Sequence, residues 1–569
     1  MSAPALPRLQ PAAGARWVPA GMWLVLLVLG VGLLAPLLAL FHQAVAPGTD
    51  LPGQVSGWAA FSSYLASPAL LESVANSVGV SLLVTLIVLP LAFAFAYGLT
   101  RSAMPCKGLL RGISLLPLLA PSLLSAISLI YWFGNQGLAR ELWQALGFEG
   151  IYGASGIVLA ECFAVFPHVL MILVTALTTA DARLYEAADA LGTSAWRKFF
   201  TITLPGARYG LISAAMVCFT LVITDFGIPK VVGGNFNVLA TDVFKLVIGQ
   251  QDFQRGAVVA LLLLAPAVLT FAVDHLVQRK QNALLTARAV ALRPQPAPAF
   301  DQLMLAYCAL ICSLMLAMFG MAVFASFATL WPYNLAPSLN HYLVGLVDAE
   351  LDVALLNSLK LAAGTAVLGP ALVLLGAYLL EKTQGLDWAR PLIRLLAMLP
   401  MAVPGLVLGL GFIFFFNAPG NPLGFLYRTG ALLVLCTVVH FYTTGHLTLL
   451  TALKAIDAEF EAVSASLKVP FYKTFWRVTL PLCLPALIDV SRYFFINAMT
   501  TISAVVFLYS PDTRLASVAI LNLDEAGEVS AAAAMAVLIV ATSSLVSLLY
   551  LGLGHWARRR TQAWRGEPR

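Results

Sequence analysis

Long apolar runs recur through the whole chain, and each of about twelve is roughly 18 to 25 residues long, the length a helix needs to cross a bilayer. They lie near 22–41, 76–99, 110–133, 153–177, 209–226 and 255–277, and again near 303–330, 357–380, 392–416, 429–453, 486–508 and 529–553. A chain buried in lipid must satisfy its backbone polar groups within each segment, so such runs read as helices. Composition agrees. The chain is 60% hydrophobic and 11% charged with mean hydropathy +0.88, where soluble domains carry about 25% charged residues. The expected fold is an all-α integral membrane protein with about twelve transmembrane helices, arranged as two parallel six-helix repeats.

Cationic loops resist translocation, so the Lys/Arg bias orients the chain. With the N-terminus inside, the first half's cytoplasmic segments hold Arg8 and Arg16, then Arg101, Lys107 and Arg111, then Arg183, Arg197, Lys198 and Arg208, then Arg279, Lys280, Arg288 and Arg293. Its outer loops hold Arg140, Lys230, Lys245 and Arg255. The second half places Lys382, Arg390, Lys454, Lys468, Lys473, Arg477 and Arg558-Arg559-Arg560 inside, against Arg428 and Arg514 outside. Both termini are expected in the cytoplasm. The net charge of +6 follows from this topology, and no nucleic-acid partner is expected; the bilayer is. The first apolar run is about as long as a full span and no clear cleavage site follows, so it reads as a retained helix and not a signal peptide. The seven cysteines fall in or beside spans and read as small apolar packers.

Two cytoplasmic loops repeat each other. "YEAADALGTSAWRKFFTITLP", ending on Leu204-Pro205, superposes on "FEAVSASLKVPFYKTFWRVTLP", ending on Leu480-Pro481, when the two Leu-Pro pairs are aligned. Leu184, Ala188, Leu191, Ala195 and Phe199 then fall on Phe460, Ser464, Leu467, Phe471 and Phe475, a spacing that predicts one apolar stripe on a helix or on two short helices in tandem. Gly192 offers a helix stop, with Thr193 and Ser194 as N-cap hydroxyls. In the second copy Pro470 stands opposite Ser194, suited to the first turn of a new helix. Both loops therefore read as helix, kink, helix, and each Leu-Pro pair is expected to end the second short helix. Asn76-Ser77-Val78 and Asn357-Ser358-Leu359 open matching spans, and each stands at nearly the same distance before its own Leu-Pro pair. Six spans per half give both halves one orientation, relatable by a two-fold axis along the membrane normal. The basic, Pro-rich stretch 279–298 is the natural joint. The expected division is 1–290, with its loop at 181–206, and 291–569, with its loop at 456–482.

Glu186-Ala187-Ala188, three residues, Gly192, nine residues, then Ile202, Leu204 and Pro205 resemble the EAA loop of ABC importer permeases. That resemblance implies the type I importer permease fold and a coupling helix seated in a groove of an ATP-hydrolysing subunit. Two such loops in one chain imply two ATPase subunits. ATP and Mg would be bound by those subunits, with no cofactor on this chain. A periplasmic solute-binding protein and a bacterial inner-membrane location are implied as well. In the second loop Lys468 takes the glycine position, Ala462-Val463-Ser464 take the Glu-Ala-Ala positions, and Glu461 comes one residue early, which on a helix rotates it by about 100°. Glu461, Leu467, Pro470, Leu480 and Pro481 are its expected coupling residues. Two fused halves resemble the permeases of iron(III) and 2-aminoethylphosphonate importers. The segments 224–258 and 510–540 look most like the 2-aminoethylphosphonate branch, so import of that solute is the first expectation and iron(III) the alternative.

Polar groups within spans mark functional candidates because their burial in lipid is costly. Glu161 and His168 lie in the fourth run, Asp225 near the outer end of the fifth, and Asp489 and Arg492 in the eleventh. In the register that aligns the Leu-Pro pairs, Thr224-Asp225 falls on Thr500-Thr501. Thr224, Asp225, Thr500, Thr501, Glu161 and Arg492 are the candidate pathway residues, with interfacial snorkelling or helix pairing as the other reading of Asp225 and Arg492. Gly405 and Gly409 suit close helix packing. No G-x-x-x-x-G-K-[ST] loop is present, so the chain is not expected to bind ATP or to be an enzyme. The histidines show no metal spacing. A twelve-span secondary transporter would share the span count and parallel repeat, but would not need paired helix-kink-helix loops.

Overall fold

The computed structural model describes residues 17–45, 58–284, 292, 294–343, 351–383, 385–457 and 459–561. Arg8, Arg16, Arg288, Arg293 and the joint at 290 fall outside these residues. Nine helices among the described residues are long and apolar enough to cross a membrane, and two further bent pairs bring the number of spans to as many as eleven. The chain is an all-α integral membrane protein.

The third run of each half departs from a single straight span. Residues 110–133 form Lys107–Ser114, a 3-10 turn Leu116–Leu119 and a helix Ser122–Phe133. The matching run forms Ala389–Ala402 and Gly405–Phe416, bent by 115°. Proline is the cause in both: Pro117 and Pro121, like Pro400 and Pro404, lack the N–H of a helix interior and disfavour helical backbone just before them. An antiparallel hairpin, Ala328–Leu330 with Asn334–Pro337, the one sheet among the described residues, was not expected from the apolar run that ends there.

Contacts divide the chain into two compact units that do not follow the order of the sequence. One comprises Gln43–Leu351 and Ser517–Leu538; the other comprises Met1–His42, Asp352–Ala516 and Ile539–Arg569. The opening helix Pro298–Phe327 of the second half thus belongs to the first unit, where Tyr307 donates to the Leu91 carbonyl at 2.8 Å and Cys308 lies against Gly98. The opening helix of the chain belongs to the other unit, where Gly21 meets Leu379 and Gly32 meets Val439.

The paired Asn-Ser signatures do the same work in each unit. Asn76 Nδ2 donates to the Asn237 carbonyl at 3.0 Å, and the Leu239 N–H, at the start of the helix Leu239–Phe244, donates to the Ser77 hydroxyl at 2.8 Å. In the other unit Asn357 donates to the Asp512 and Arg514 carbonyls, and the Ala516 N–H donates to Ser358 at 2.8 Å, again at a helix start. Orphan N–H groups at a helix N-terminus need such acceptors. Among the cysteines, Cys218, Cys308, Cys312, Cys436 and Cys483 are buried packers as expected, but Cys106 is exposed and Cys162 partly so.

Candidate functional site

The helix-kink-helix reading of the loops holds in detail. Asp181 caps Ala182–Ala190 by accepting from the Arg183 N–H. The helix closes on Gly192, which adopts φ +66°, while the Thr193 N–H reaches the Ala188 carbonyl at 2.9 Å. This is a Schellman closure with glycine in the left-handed position. Ser194 then caps Ala195–Lys198 by accepting from the Arg197 N–H. In the second loop Lys468 adopts φ +53° at the glycine position, and the Val469 N–H reaches the Ser464 carbonyl at 2.9 Å. Pro470 follows with φ −59° and ψ 140° as the N-cap of Phe471–Thr474.

The Leu-Pro pairs do not end the short helices. Instead the chain continues as one helix over Ala195–Thr224 and over Phe471–Thr500, each 30 residues long. The junction is a π turn, Phe199–Thr203 and Phe475–Thr479, in which the Leu204 and Leu480 N–H groups bond back to the Phe199 and Phe475 carbonyls. A proline removes one backbone donor and crowds the carbonyl of the preceding turn, and the wider π turn accommodates both defects without breaking the helix.

Each loop exposes apolar side chains along part of the stripe that the sequence suggests, and beyond it after the kink. Ala188 is buried and Phe199 half-buried. Exposed apolar side chains at matching positions are Leu184, Leu191, Trp196 and Phe200 in the first loop and Phe460, Leu467, Tyr472 and Trp476 in the second, of which Trp196, Phe200, Tyr472 and Trp476 lie off the stripe. Trp196 is 75% exposed and Trp476 is 65% exposed. The one-face pattern missed these aromatics because the kink at Gly192 and Lys468 restarts the helical phase. Glu186 and Ala187 are exposed. Glu461, by contrast, stands at the Tyr185 position and turns inward to Lys382 Nζ at 2.8 Å.

Of the polar residues expected in the spans, Glu161 and Asp225 are brought together. Asp225 ends the helix Leu204–Thr224 with φ −70° and ψ 135°, and accepts from the Ile228 N–H at 2.8 Å in the first turn of Gly227–Val232. Its carboxyl also stands close to Ser122, at the start of Ser122–Phe133, and to the Glu161 carboxyl from the helix Ala154–Thr178. Glu161 is 1% exposed, and its Oε1 has no partner among the described residues. Ser122 carried no signal in the sequence beyond its place after Pro121.

In the other unit Thr501 ends Leu480–Thr500 with φ −69° and ψ 140°, the same geometry as Asp225. The Thr224 and Thr500 hydroxyls both donate back to their own helices, to Thr220 at 2.8 Å and Ile496 at 3.0 Å. Arg492 lies beside Asp489 at 3.8 Å, and Arg558 approaches the same carboxylate at 4.0 Å. Gly405 and Gly409 pack as expected: a Cβ on Gly409 would stand 2.7 Å from the Ala504 carbonyl oxygen. No group of three or more His, Cys, Asp or Glu able to hold a metal occurs among the described residues.

Comparison with known proteins identifies the family. Residues 89–282 and 373–560 each match the binding-protein-dependent transport system inner membrane component family. The chain is 27% identical over 560 residues, 96% of its length and 80% of the relative's, to the ferric transport system permease protein FbpB of Actinobacillus pleuropneumoniae. It is 34% identical over 157 residues, 27% of its length and 69% of the relative's, to the molybdenum transport system permease protein ModB of Escherichia coli strain K12. A third relative is sulfate permease 2, chloroplastic, of Chlamydomonas reinhardtii, 28% identical over 228 residues, 38% of this chain and 58% of that protein. These matches replace the secondary-transporter alternative. The chain belongs to the binding-protein-dependent transport system inner membrane component family, which it carries twice as a fused type I ABC importer permease.

Proposed function

We propose that this chain is the membrane subunit of an ATP-driven importer, with the loops 181–206 and 456–482 as its seats for two ATPase subunits. The observation that carries this reading is the repetition, once in each half, of an exposed aromatic surface on the same closed turn. Exposed Trp and Tyr side chains of this kind anchor protein interfaces. Glu186 supplies a charge-assisted contact to the ATPase. The Lys/Arg bias puts both loops and both termini on the cytoplasmic side, opposite a solute-binding protein. Closure of the ATPases on ATP would move both loops and switch the pathway between its two openings. The chain itself contributes no ATP site.

For the cargo, iron(III) fits best. A relative named for ferric transport matches nearly the whole chain. A hard cation also suits oxygen ligands, which the Glu161–Asp225 pair and Ser122 offer. The likeness of 224–258 and 510–540 to 2-aminoethylphosphonate permeases supports the second reading. Thr224, Thr500, Thr501 and Arg492 remain the other proposed pathway residues. The test is ATP hydrolysis by the chain reconstituted in proteoliposomes with its ATPase and binding protein, titrated with ferric iron and, separately, with 2-aminoethylphosphonate. Stimulation by ferric iron alone is the expected result. Stimulation by the phosphonate alone replaces the cargo, and failure of the ATPase to co-purify removes the docking role of the loops.

A further inference from the structure

The loops are held from behind by a device that occurs twice. The helix Pro68–Arg101 ends in Tyr97 and Arg101; in the register that lays Asn76 on Asn357, the helix Leu351–Lys382 ends in Tyr378 and Lys382. Residues i and i+4 share one helix face, and in each unit that face meets the root of a loop. Tyr97 sets its ring edge-on to Phe199, centroids 5.7 Å apart at 77°, and Tyr378 does the same to Phe475 at 5.0 Å and 79°. Phe199 and Phe475 each open a π turn. The cation one turn later reaches the first short helix of the loop and a carbonyl where the preceding span ends.

That second contact differs chemically between the copies. Arg101 donates to the Leu177 carbonyl at 3.0 Å and to the Tyr185 hydroxyl at 3.4 Å, with its guanidinium 5.1 Å from the Tyr185 ring centre. Tyr185 in turn bonds Thr203 in the π turn at 2.9 Å. Lys382 donates to the Ile456 carbonyl at 3.3 Å and pairs with Glu461 at 2.8 Å. The Lys382 side chain is 6% exposed and that of Glu461 28%. A pair so shielded is screened far less than a surface ion pair. Tyr185 and Glu461 hold the same place in the two loops, so a neutral aromatic in one copy is replaced by a carboxylate in the other.

We propose that Tyr97 with Arg101, and Tyr378 with Lys382, are clasps that transmit motion of each loop to the second span of its half, and that the second clasp depends on the Lys382–Glu461 charge pair. Arg101 and Lys382 are positioning residues: they touch neither ATP nor cargo. The inference rests on the reading of these loops as ATPase seats. Its physical content is that a loop displaced by its ATPase can drag a spanning helix only through contacts stiff enough to survive the movement. An aromatic edge contact and a buried cation at adjacent turns supply two such points.

The experiment compares Lys382→Met, Glu461→Gln and the reversed pair Lys382→Glu with Glu461→Lys in the reconstituted transporter. Each single variant should keep its ATPase subunits on co-purification yet lose at least about fivefold in cargo-stimulated ATP hydrolysis, the lower end of ordinary coupling energies. The reversed pair should recover most of it. Unchanged stimulation in the single variants overturns the proposal, as does a reversed pair no better than either single change. A thermal-unfolding double-mutant cycle on the chain alone decides whether the pair couples in the fold at all; a coupling energy of zero there also overturns it. If the unmodified chain does not retain an ATPase, the docking reading falls first, and a non-zero cycle then leaves a structural pair without a transmitting role, which likewise overturns the proposal.

Discussion

Gly192 and Lys468, at matching positions of the two loops, occupy the same left-handed turn, at φ +66° and +53°. Only glycine enters that region freely; a side chain there adds roughly 1–2 kcal/mol. A Cβ on Gly192 would meet nothing within 4 Å, so substitution there tests backbone strain alone. Gly192→Ala should destabilise by ~1 kcal/mol and Lys468→Gly should stabilise by a similar amount, both read as shifts of the thermal unfolding midpoint. A large loss on Lys468→Gly would show that the lysine is held for another reason.

Trp196 and Trp476 are exposed and contribute little to the fold of the isolated chain. Under the docking reading they are interface anchors, and Trp196→Ala or Trp476→Ala should each weaken ATPase binding by ~2 kcal/mol or more. Binding measured by surface immobilisation in detergent, alongside an unchanged unfolding midpoint, checks this. A fall in the midpoint with affinity intact would assign the tryptophans to internal packing.

Asp524 lies between spans, at the end of the helix Ala516–Glu525. Burial, with Glu525 adding repulsion and Lys230 opposing it, raises its pKa from 3.8 to about 6. The native state therefore holds a proton that the unfolded chain gives up earlier. Stability should fall as pH rises from about 4 to about 6 and level off above, since the unfolded state binds fewer protons across that window. Asp524→Asn should flatten this limb of the profile, measured by thermal unfolding against pH.

Gly409 and Gly552 make a contrasting pair. A Cβ at Gly409 meets the Ala504 carbonyl oxygen at 2.7 Å, whereas one at Gly552, in the helix Val529–Thr561, meets nothing within 4 Å. Gly409→Ala should destabilise by ~1–3 kcal/mol through overpacking. Gly552→Ala should stabilise by ~0.5–1 kcal/mol, because alanine restricts the unfolded chain and favours helix. Equal effects at the two positions would contradict the packing.

By itself the sequence determined the membrane class, the duplication and the closed turns of both loops. Each of these is local: a run long enough to cross lipid, a register shared by Leu204-Pro205 and Leu480-Pro481, a glycine followed by a serine cap. Tertiary structure decided what local patterns do not carry. Pro205 and Pro481 were legible as helix breakers, yet a π turn absorbs each one, since the rest of the span gains more by remaining a continuous helix than by ending there. Trp196 and Trp476 fell outside the apolar stripe because a kink resets the helical phase. Glu161 and Asp225 belong to different spans, and only the packing of their helices brought the two carboxyl groups close together. Lys382 read as a cation of the cytoplasmic face; its burial against Glu461 depends on two helix ends meeting, which no periodicity encodes. The same holds for the helix Pro298–Phe327, placed by sequence in the second half and by contacts in the unit built on the first, because an apolar surface is buried against whichever neighbour completes it.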